Sequence, residues 1–377
     1  MIRLEDVSKI YPDGTEAVKD VSLEIQEGEL CVLLGPSGCG KTTTMKMINR
    51  LIPITEGKIF IDGTDNQELD ENELRRDIGY AIQEIGLFPH MTVAENISTV
   101  PNLKGWSKEE ARNRADELLE LMGMDPNEHM DKYPVELSGG QRQRVGVARS
   151  LGANPPIMLM DEPFGAIDPI TRDKLQDEFL NIQEEIQKTI VFVTHDINEA
   201  IKMGTKIALL KDGELVQYSA PAELLAQPKN QFVRDFVGTD RTLKSMRLMK
   251  AKDAMKTSPK TVSLDNEVSE VREEMEKRDV DYLIVTDSSN RFRGWIEASE
   301  LEGEVDSLDE VLSRDVGSVS RETALSDALS LMLEEDVANV PVLGNDNALE
   351  GILTFNDLQQ LIGETYTEEG GGKQVVG

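Results

Sequence analysis

Apolar and polar positions in the first 240 residues form short apolar runs separated by amphipathic stretches. LCVLL at 30–34, IMLM at 157–160 and IVFV at 190–193 are continuous apolar runs of strand length. Gly-rich turns at 35–40 and 139–140 are each followed by a stretch whose apolar residues have helical spacing. Strand-sized runs combined with Gly-rich turns and amphipathic helices predict an α/β fold.

The last third of the chain repeats one α/β pattern. Residues 251–363 superpose on themselves when shifted by 57 positions, in one register without gaps. Each copy contains a short strand, a helix, two strands joined by a turn, and a second helix. A unit of about 55 residues buries its own core poorly, so we expect the two copies to pack together. Identical pairs include Val262/Val319, Ser263/Ser320, Ser269/Ser326, Met275/Met332, Asp279/Asp336, Val280/Val337, Val285/Val342, Gly294/Gly351 and Leu301/Leu358.

The distribution of charge divides the chain. The formal net charge is −31, which argues against nucleic acid as a partner because phosphate binding needs clustered Lys and Arg. Residues 241–260 nevertheless have a net charge of +6, between a body of −17 and one of −20. We therefore predict a domain at 1–240, a basic linker at 241–260, a repeat module at 261–363 (first copy about 251–306, second copy about 307–363) and a flexible tail at 364–377.

The sequence predicts neither a membrane anchor nor a disulfide framework. No apolar run approaches the roughly 18 to 20 residues that a membrane span requires. Acidic residues stand near the N-terminus, where a signal peptide needs its apolar core. Cys31 and Cys39 are too few for a disulfide framework, so a reduced cytosolic pair is expected.

Residues 35–42, GPSGCGKT, have the G-x-x-x-x-G-K-[ST] spacing of a phosphate-binding loop. Glycines let backbone N–H groups approach phosphate oxygens, and the N-terminus of the following helix adds a favourable dipole. Lys41 is expected to reach the β- and γ-phosphates of ATP, and the Thr42 hydroxyl to ligate Mg²⁺. The residues predicted to bind nucleotide here are Gly35, Ser37, Gly38, Gly40, Lys41, Thr42 and Thr43.

Asp161 and Glu162 end the apolar run at 157–160. A carboxylate at the tip of a buried strand can hold Mg²⁺, directly or through water, and this predicts a metal role for Asp161. Glu162 is then placed to orient and deprotonate the water that attacks the γ-phosphate. Charged residues often end strands, but the phosphate loop upstream makes a catalytic pair the better interpretation.

The segment LSGGQ at 137–141 completes a set of motifs that resembles the ATP-binding-cassette (ABC) family. The resemblance covers residues 1–240, with GPSGCGKT as Walker A, IMLMDE as Walker B and FGAIDP as the D-loop. It implies a RecA-like core with a helical signature subdomain, ATP and Mg²⁺ as ligands, and ATP hydrolysis as the reaction. It also implies a homodimer that sandwiches ATP, because the signature residues serve ATP bound to a second copy; here they are Ser138, Gly139, Gly140 and Gln141.

Four further residues take their roles from the same resemblance. Tyr11 would stack on adenine, and Asp168 belongs to the D-loop. Gln83 would link the γ-phosphate and Mg²⁺ to a membrane partner, and His195 would contact the γ-phosphate. The other two histidines have no such support and are predicted to be ordinary surface or packing residues; they are His90 and His129.

The type of ABC protein follows from what accompanies the cassette. A single cassette without membrane spans must borrow its pore from separate permease subunits. The stretches at 35–63, 84–97 and 160–179 are similar to importers of quaternary amines such as glycine betaine, carnitine and choline. The alternatives are an importer of another solute, such as proline or a polyamine, and a regulatory nucleotide-sensing ATPase without a transport partner.

The repeat resembles tandem cystathionine-β-synthase-type (CBS) domains, which pair into a flat module and often bind adenine nucleotides or cyclic dinucleotides. The T-x-x-D segment of that family is present in the second copy as Thr354 and Asp357, whereas the first copy has Glu297 and Glu300. Two carboxylates repel an anionic phosphate, so an adenine nucleotide or cyclic di-AMP is expected only in the second cleft. The alternative is a helix cap, with Thr354 or Asn356 opening a helix and Asp357 in its first turn.

A cassette followed by tandem CBS domains resembles osmoregulated importers of the betaine type. That likeness implies a peripheral subunit on the cytoplasmic face of the membrane, with a permease and, indirectly, a solute-binding protein as partners. A basic linker would also be attracted to anionic lipid, less strongly as salt rises; its cations include Lys244, Arg247, Lys250 and Lys252. The alternative is a linker helix whose apolar residues face a domain; these are Leu243, Met246 and Met249.

Overall fold

The computed structural model describes residues 1–82, 86–165, 167–278, 280, 282–301, 305–314 and 317–367, apart from the side chains of 278 and 362–367. The chain forms two compact units, Met1–Gly238 and Thr239–Gly377. The first unit contains the motifs predicted to bind ATP, and the second contains the internal repeat.

The first unit is built on two sheets. Its strands are β1 (Ile2–Ile10), β2 (Glu16–Ile25), β3 (Leu30–Leu34), β4 (Glu56–Ile61), β5 (Thr64–Asp65), β6 (Ile78–Ala81), β7 (Ile157–Asp161), β8 (Thr189–Thr194), β9 (Lys206–Lys211) and β10 (Glu214–Ser219). One sheet is antiparallel, in the order β2-β1-β4-β5. The other has the order β10-β9-β3-β8-β7-β6, with β10 antiparallel and the rest parallel.

Helices surround the larger sheet, and several of them are inserted between β6 and β7. The helices are α1 (Lys41–Ile48), α2 (Glu71–Asp77), α3 (Val93–Ile97), α4 (Thr99–Leu103), α5 (Lys108–Leu121), α6 (Pro126–His129), α7 (Gly139–Leu151), α8 (Pro169–Ile186), α9 (Ile197–Met203), α10 (Pro221–Ala226) and α11 (Gln231–Val237). The inserted group, α3 to α7, contains the signature segment. None of the helices in the described ranges is long and apolar enough to cross a membrane.

Three predicted site segments meet at one edge of the larger sheet. The strands β3, β8 and β7 are neighbours, and all their residues are buried. The phosphate loop follows β3, the pair Asp161 and Glu162 lies at the end of β7, and His195 follows β8. Because the carboxyl ends of parallel strands lie at the same edge, residues far apart in sequence become neighbours there.

The second unit contains the same three-stranded arrangement twice. Its elements are α12 (Arg241–Leu248), α13 (Ala251–Ala254), β11 (Thr261–Ser263), α14 (Val268–Arg278), β12 (Tyr282–Thr286), β13 (Phe292–Glu297), β14 (Val319–Ser320), α15 (Leu325–Glu334), β15 (Asn339–Leu343), β16 (Leu349–Thr354) and α16 (Phe355–Thr367). Val285 lies opposite Gly294 in one sheet and Val342 opposite Gly351 in the other, so the registers match. The second helix expected in the first copy is instead a 3-10 turn, Ala298–Leu301.

The two copies share an apolar cluster. Ile284 and Trp295 of the first copy pack with Leu349 and Ile352 of the second. Each copy also has its own small core. This packing supplies the burial that one copy of this size lacks by itself.

The segment 241–260 is part of this folded module rather than a separate linker. Met246 and Ala251 are buried in the core of the second copy, and Met249 packs against that core, whereas Leu243 is exposed. Ala251 is therefore the first residue of the first copy in the sequence alignment of the repeat, yet its side chain packs in the core of the second copy. The charge count could not indicate this, because the fold of the segment is decided by its apolar face.

The cations of this segment are partly neutralised within the second unit. Lys244 is buried, and its Nζ lies 2.6 Å from Oδ1 of Asp240. Lys252 lies 2.7 Å from the Glu322 carboxylate. Arg247 is exposed. The positive surface expected from the sequence is therefore smaller than the count of Lys and Arg suggests.

Candidate nucleotide-binding and catalytic site

Three glycines with positive φ shape the loop at 35–40. Gly35, Gly38 and Gly40 have φ values of 147°, 80° and 100°. A Cβ on Gly35 would lie 2.2 Å from the Leu210 carbonyl oxygen, and one on Gly40 would come within 2.4 Å of the backbone of β2. A Cβ on Gly38 would meet open space. The loop is thus tightly packed on its inner side and open where a ligand would approach.

Lys41 is a buried cation at the start of α1. Its Nζ donates hydrogen bonds to the carbonyl oxygens of Gly35 (2.7 Å) and Pro36 (2.9 Å). It also lies 3.8 Å from Cys39 Sγ, and burial raises the pKa of that thiol. Carbonyl oxygens carry only partial charges, so phosphate oxygens would compensate the ammonium group more fully. The loop therefore fits an anionic phosphate chain.

Thr42 and Asp161 come together from α1 and β7. The Thr42 hydroxyl donates a hydrogen bond to Oδ1 of Asp161 at 3.0 Å. Burial raises the pKa of Asp161, while the hydrogen bond from Thr42 acts in the opposite direction. A hydroxyl and a carboxylate beside a phosphate loop form the oxygen set that Mg²⁺ takes together with phosphate oxygens. These two side chains fit that cation.

Glu162 and His195 form a second pair at the same sheet edge. His195 Nδ1 lies 3.0 Å from Oε1 of Glu162. The Glu162 backbone has a φ of 45°, and its N–H donates to the Val193 carbonyl at 3.0 Å. Its side chain is 22% exposed and that of His195 is 63% exposed. The Glu162 carboxylate is therefore held in place yet accessible to water.

The signature segment forms the N-terminal cap of α7. Ser138 Oγ accepts the N–H of Gln141 at 3.2 Å, and Gln141 Oε1 accepts the N–H of Ser138 at 2.9 Å. This reciprocal pair is a capping box. Ser138 and Gly139 are exposed, and a Cβ on Gly139 or Gly140 would meet open space. The segment is accessible on the surface of the first unit.

The D-loop residue Asp168 caps α8. Its side chain accepts the N–H of Thr171 at 3.1 Å, and this backbone hydrogen bond lowers the pKa of the carboxyl. Arg172 donates to the Ile167 carbonyl at 2.8 Å, which fixes the end of the D-loop. Position 166 lies outside the described residues.

A partly buried polar contact links α8 to the helix that follows His195. Gln176 Nε2 donates to Oε1 of Glu199 at 2.9 Å. Burial raises the pKa of Glu199. No motif marks either residue in the sequence, because their contact depends on how α8 and α9 pack.

Of the remaining four predicted site residues, two lie in or next to the phosphate loop, one follows β1 and one falls outside the described residues. Tyr11 lies half-buried in the turn after β1, with Lys9 Nζ 5.3 Å from its ring centre. Ser37 is exposed in the phosphate loop, and Thr43 is half-buried in the first turn of α1. Gln83 falls outside the described residues, so its role stays a prediction.

The two histidines without a predicted role differ from each other. His90 is exposed, as expected for a surface residue. His129 is buried, and its Nε2 lies 3.2 Å from Nε2 of Gln141 in the signature segment. The prediction of an ordinary surface or packing residue did not include this contact between His129 and the signature segment.

In the second unit, Thr354 caps α16. Its hydroxyl donates to Oδ2 of Asp357 at 2.6 Å and accepts the Asp357 N–H at 3.1 Å. Lys256 Nζ lies 2.8 Å from the other carboxylate oxygen. Burial would raise the pKa of Asp357, but the hydrogen bonds from Lys256 and Thr354 hold it below its usual value. The helix-cap alternative describes these contacts.

We expect Thr354→Ala to destabilise the second unit by about 1 kcal/mol, because the N-terminus of α16 loses its cap. Differential scanning calorimetry of the full chain would measure this as a lower melting temperature of one transition. Thr354→Ser, which keeps the hydroxyl, should melt close to the wild type. Equal melting of Thr354→Ala and the wild type would contradict the capping role.

Comparison with known proteins agrees with this geometry. The family model described as "ABC transporter" matches residues 18–165. The model described as "CBS domain" matches residues 251–305 and 308–364. The first match lies within the phosphate-loop unit, and the second follows the two copies of the repeat.

Curated relatives extend over nearly the whole chain. The glycine betaine/carnitine/choline transport ATP-binding protein OpuCA of Bacillus subtilis is 47% identical, over 96% of this chain and 96% of its own length. The osmoprotectant import ATP-binding protein OsmV of Salmonella typhimurium is 42% identical, over 93% of each chain. A solved dimeric structure of the ABC transporter cassette MJ0796 is 42% identical with a TM-score of 0.54, covering 59% of this chain and 99% of that one.

Proposed function

Because the chain belongs to the ATP-binding subunits of ABC transporters that carry tandem CBS domains, we propose that it drives import of an osmoprotectant. The chain is an ABC ATPase, and the proposed solute is a quaternary amine such as glycine betaine, carnitine or choline. The observation that carries the proposal is the similarity to OpuCA and OsmV along nearly the whole chain. It includes the CBS repeat as well as the cassette.

Each step of hydrolysis can be assigned to residues at the sheet edge. When ATP binds, Lys41 Nζ would exchange its hydrogen bonds to the loop carbonyl oxygens for contacts with the β- and γ-phosphates. Thr42 and Asp161 would hold Mg²⁺, which neutralises charge on the phosphates. Glu162 would accept a proton from the attacking water, and His195, bonded to Glu162, would orient that carboxylate and contact the γ-phosphate.

The proposed working form is a homodimer bound to a permease. The exposed signature segment would face ATP held by the second copy, and dimer closure would be passed to the permease through the region of Gln83. The proposed location of the chain is the cytoplasmic face of the membrane. A solute-binding protein would be an indirect partner, linked to this chain through the permease. A contact of the second unit with anionic lipid would depend on exposed cations such as Arg247.

The CBS pair is the proposed regulatory module. An adenine nucleotide or cyclic di-AMP that contacts Asp357 in the second cleft would compete with the Lys256 side chain, which lies against the same carboxylate. The full chain carrying Lys41→Met, titrated with ATP, AMP and cyclic di-AMP by calorimetry, separates this cleft from the phosphate loop. Binding that Asp357→Asn weakens supports a ligand in the cleft, and the absence of binding leaves dimerisation or ionic sensing as its role.

Transport is tested with the full chain and the membrane subunits that co-purify with it. In proteoliposomes containing ATP, we expect uptake of glycine betaine, carnitine or choline that stops when Glu162→Gln replaces the wild type. Uptake of proline or spermidine instead would indicate an importer for another solute. An active ATPase with which no membrane subunit co-purifies would favour the regulatory alternative.

A further inference from the structure

Gln141, the last residue of the signature segment, has both ends of its side-chain amide engaged within its own chain. Its Oε1 accepts the N–H of Ser138 at 2.9 Å, and its Nε2 lies 3.2 Å from Nε2 of His129. The His129 side chain is only 8% exposed. The amide is therefore tied to the signature loop on one side and to α6 on the other.

Two backbone groups fix the direction of these hydrogen bonds. The N–H of Ser138 can only donate, so the amide oxygen of Gln141 must face it and the amide nitrogen must face the ring. The Asp125 carbonyl can only accept, and it lies 2.9 Å from His129 Nδ1. Nδ1 therefore carries the proton, and Nε2 of the neutral ring accepts from Gln141. Three hydrogen bonds thus run in one direction from Ser138 to Asp125.

The charged neighbours of His129 do not replace this contact. Glu128 Oε1 lies 3.7 Å from His129 Nε2, beyond hydrogen-bond distance. The same oxygen lies 2.8 Å from Lys132 Nζ, which is its closer partner. Gln141 is therefore the hydrogen-bond partner of His129 Nε2, and Glu128 provides a matched control position.

We propose that His129 is a positioning residue for the signature segment. By accepting from Gln141, it holds the capping box so that Ser138 and the N-terminus of α7 face the ATP of the second copy. Without that acceptor, the amide can rotate out of the box, and the cap loses one of its two hydrogen bonds. The proposal rests on the proposed ATP-sandwich dimer and is independent of which solute is imported.

The test compares His129→Leu with His129→Gln. Leucine fills the buried space without an acceptor, whereas glutamine brings an amide oxygen close to the position of Nε2. We expect His129→Leu to lower the ATPase rate by about three- to tenfold, the effect of one hydrogen bond, and His129→Gln to recover most of it. In the Glu162→Gln background, the ATP concentration for half-maximal dimerisation, measured by analytical ultracentrifugation, should rise by the same factor for His129→Leu.

Other measurements separate positioning from a general defect. Binding of a fluorescent ATP analogue to the phosphate loop of the same chain should be unchanged in both variants, and Glu128→Gln should behave as the wild type. In a Gln141→Ala background, glutamine at 129 should no longer be better than leucine, because the shared contact is gone. The informative quantity is the change in the glutamine-to-leucine ratio between the two backgrounds, because a folding defect that His129→Leu causes in both backgrounds cancels.

Two results would overturn the proposal. One is a wild-type ATPase rate and dimerisation for His129→Leu, and the other is a His129→Gln variant as impaired as His129→Leu. Failure of solute uptake in proteoliposomes with normal ATP-driven dimerisation would contradict the proposed transport function alone. Failure of the wild-type chain to dimerise with ATP would remove the basis of both.

Discussion

Replacing Glu162 with glutamine should lower the rate of ATP hydrolysis by about 10²- to 10⁴-fold, the contribution of a general base. The carboxylate lies at the end of β7, partly exposed and 3.0 Å from His195 Nδ1. Glutamine has the same shape and can keep a hydrogen bond to the ring, but its amide cannot take a proton from water. Phosphate release at saturating ATP measures the loss.

The same variant should keep its affinity for ATP, because Lys41, Thr42 and Asp161 are unchanged. Blocked hydrolysis should therefore cause an ATP-bound dimer to accumulate, visible by size-exclusion chromatography. Glu184→Gln, which neutralises an exposed carboxylate on α8, is the matched control and should hydrolyse ATP normally. A fully active Glu162→Gln beside an inactive His195→Ala would assign the base to His195 instead.

The position of the phosphate loop beside Asp161, Glu162 and His195 could be predicted because the signals are local. Short apolar runs end at Leu34, Asp161 and Thr194, and the residues that follow them in sequence also follow them in space. Parallel strands in one sheet then bring these ends together without any information from distant side chains. The positions of these strand ends in the sequence were therefore enough to predict that the residues after them lie at one edge of the sheet.

The partner of His129 could not be predicted for the opposite reason. Its contact with Gln141 joins α6 to the cap of α7 and depends on how the intervening turn at Tyr133–Glu136 folds back. A lone histidine in a polar stretch gives no sign of this. The tautomer of the ring likewise depends on a hydrogen bond to the backbone carbonyl of Asp125. Every residue has such a carbonyl, so the sequence does not show which one the ring contacts.

The segment 241–260 shows a different limit. Its charge is a property of composition, whereas its place in the fold depends on which side chains are apolar at helical spacing. Met246 and Ala251 are buried in the core of the second copy, and the buried Lys244 is paired with Asp240. The start of the charge block at residue 241 therefore lies close to the boundary between the two units, whereas its end at residue 260 falls inside the second unit.

Lys41→Met should remove about half or more of the stabilisation that ATP gives, without making the nucleotide-free protein less stable. Lys41 Nζ is buried against two carbonyl oxygens, so methionine removes a poorly compensated charge and still fills the space. Each charge-assisted hydrogen bond to phosphate contributes about 1.5–3 kcal/mol. The affinity for ATP should accordingly fall by roughly 10- to 100-fold.

Thermal unfolding with and without ATP separates the two effects. At an ATP concentration of 100 times the wild-type Kd, ligand binding stabilises the wild type by about 2.7 kcal/mol. A 100-fold weaker variant would gain only about 0.4 kcal/mol at that concentration. Lys108→Met, which removes an exposed cation from α5, should keep the full gain. If the nucleotide-free Lys41→Met protein melted well below the wild type, the lysine would be a structural cation of the loop, and its bonds to Gly35 and Pro36 would be its main purpose.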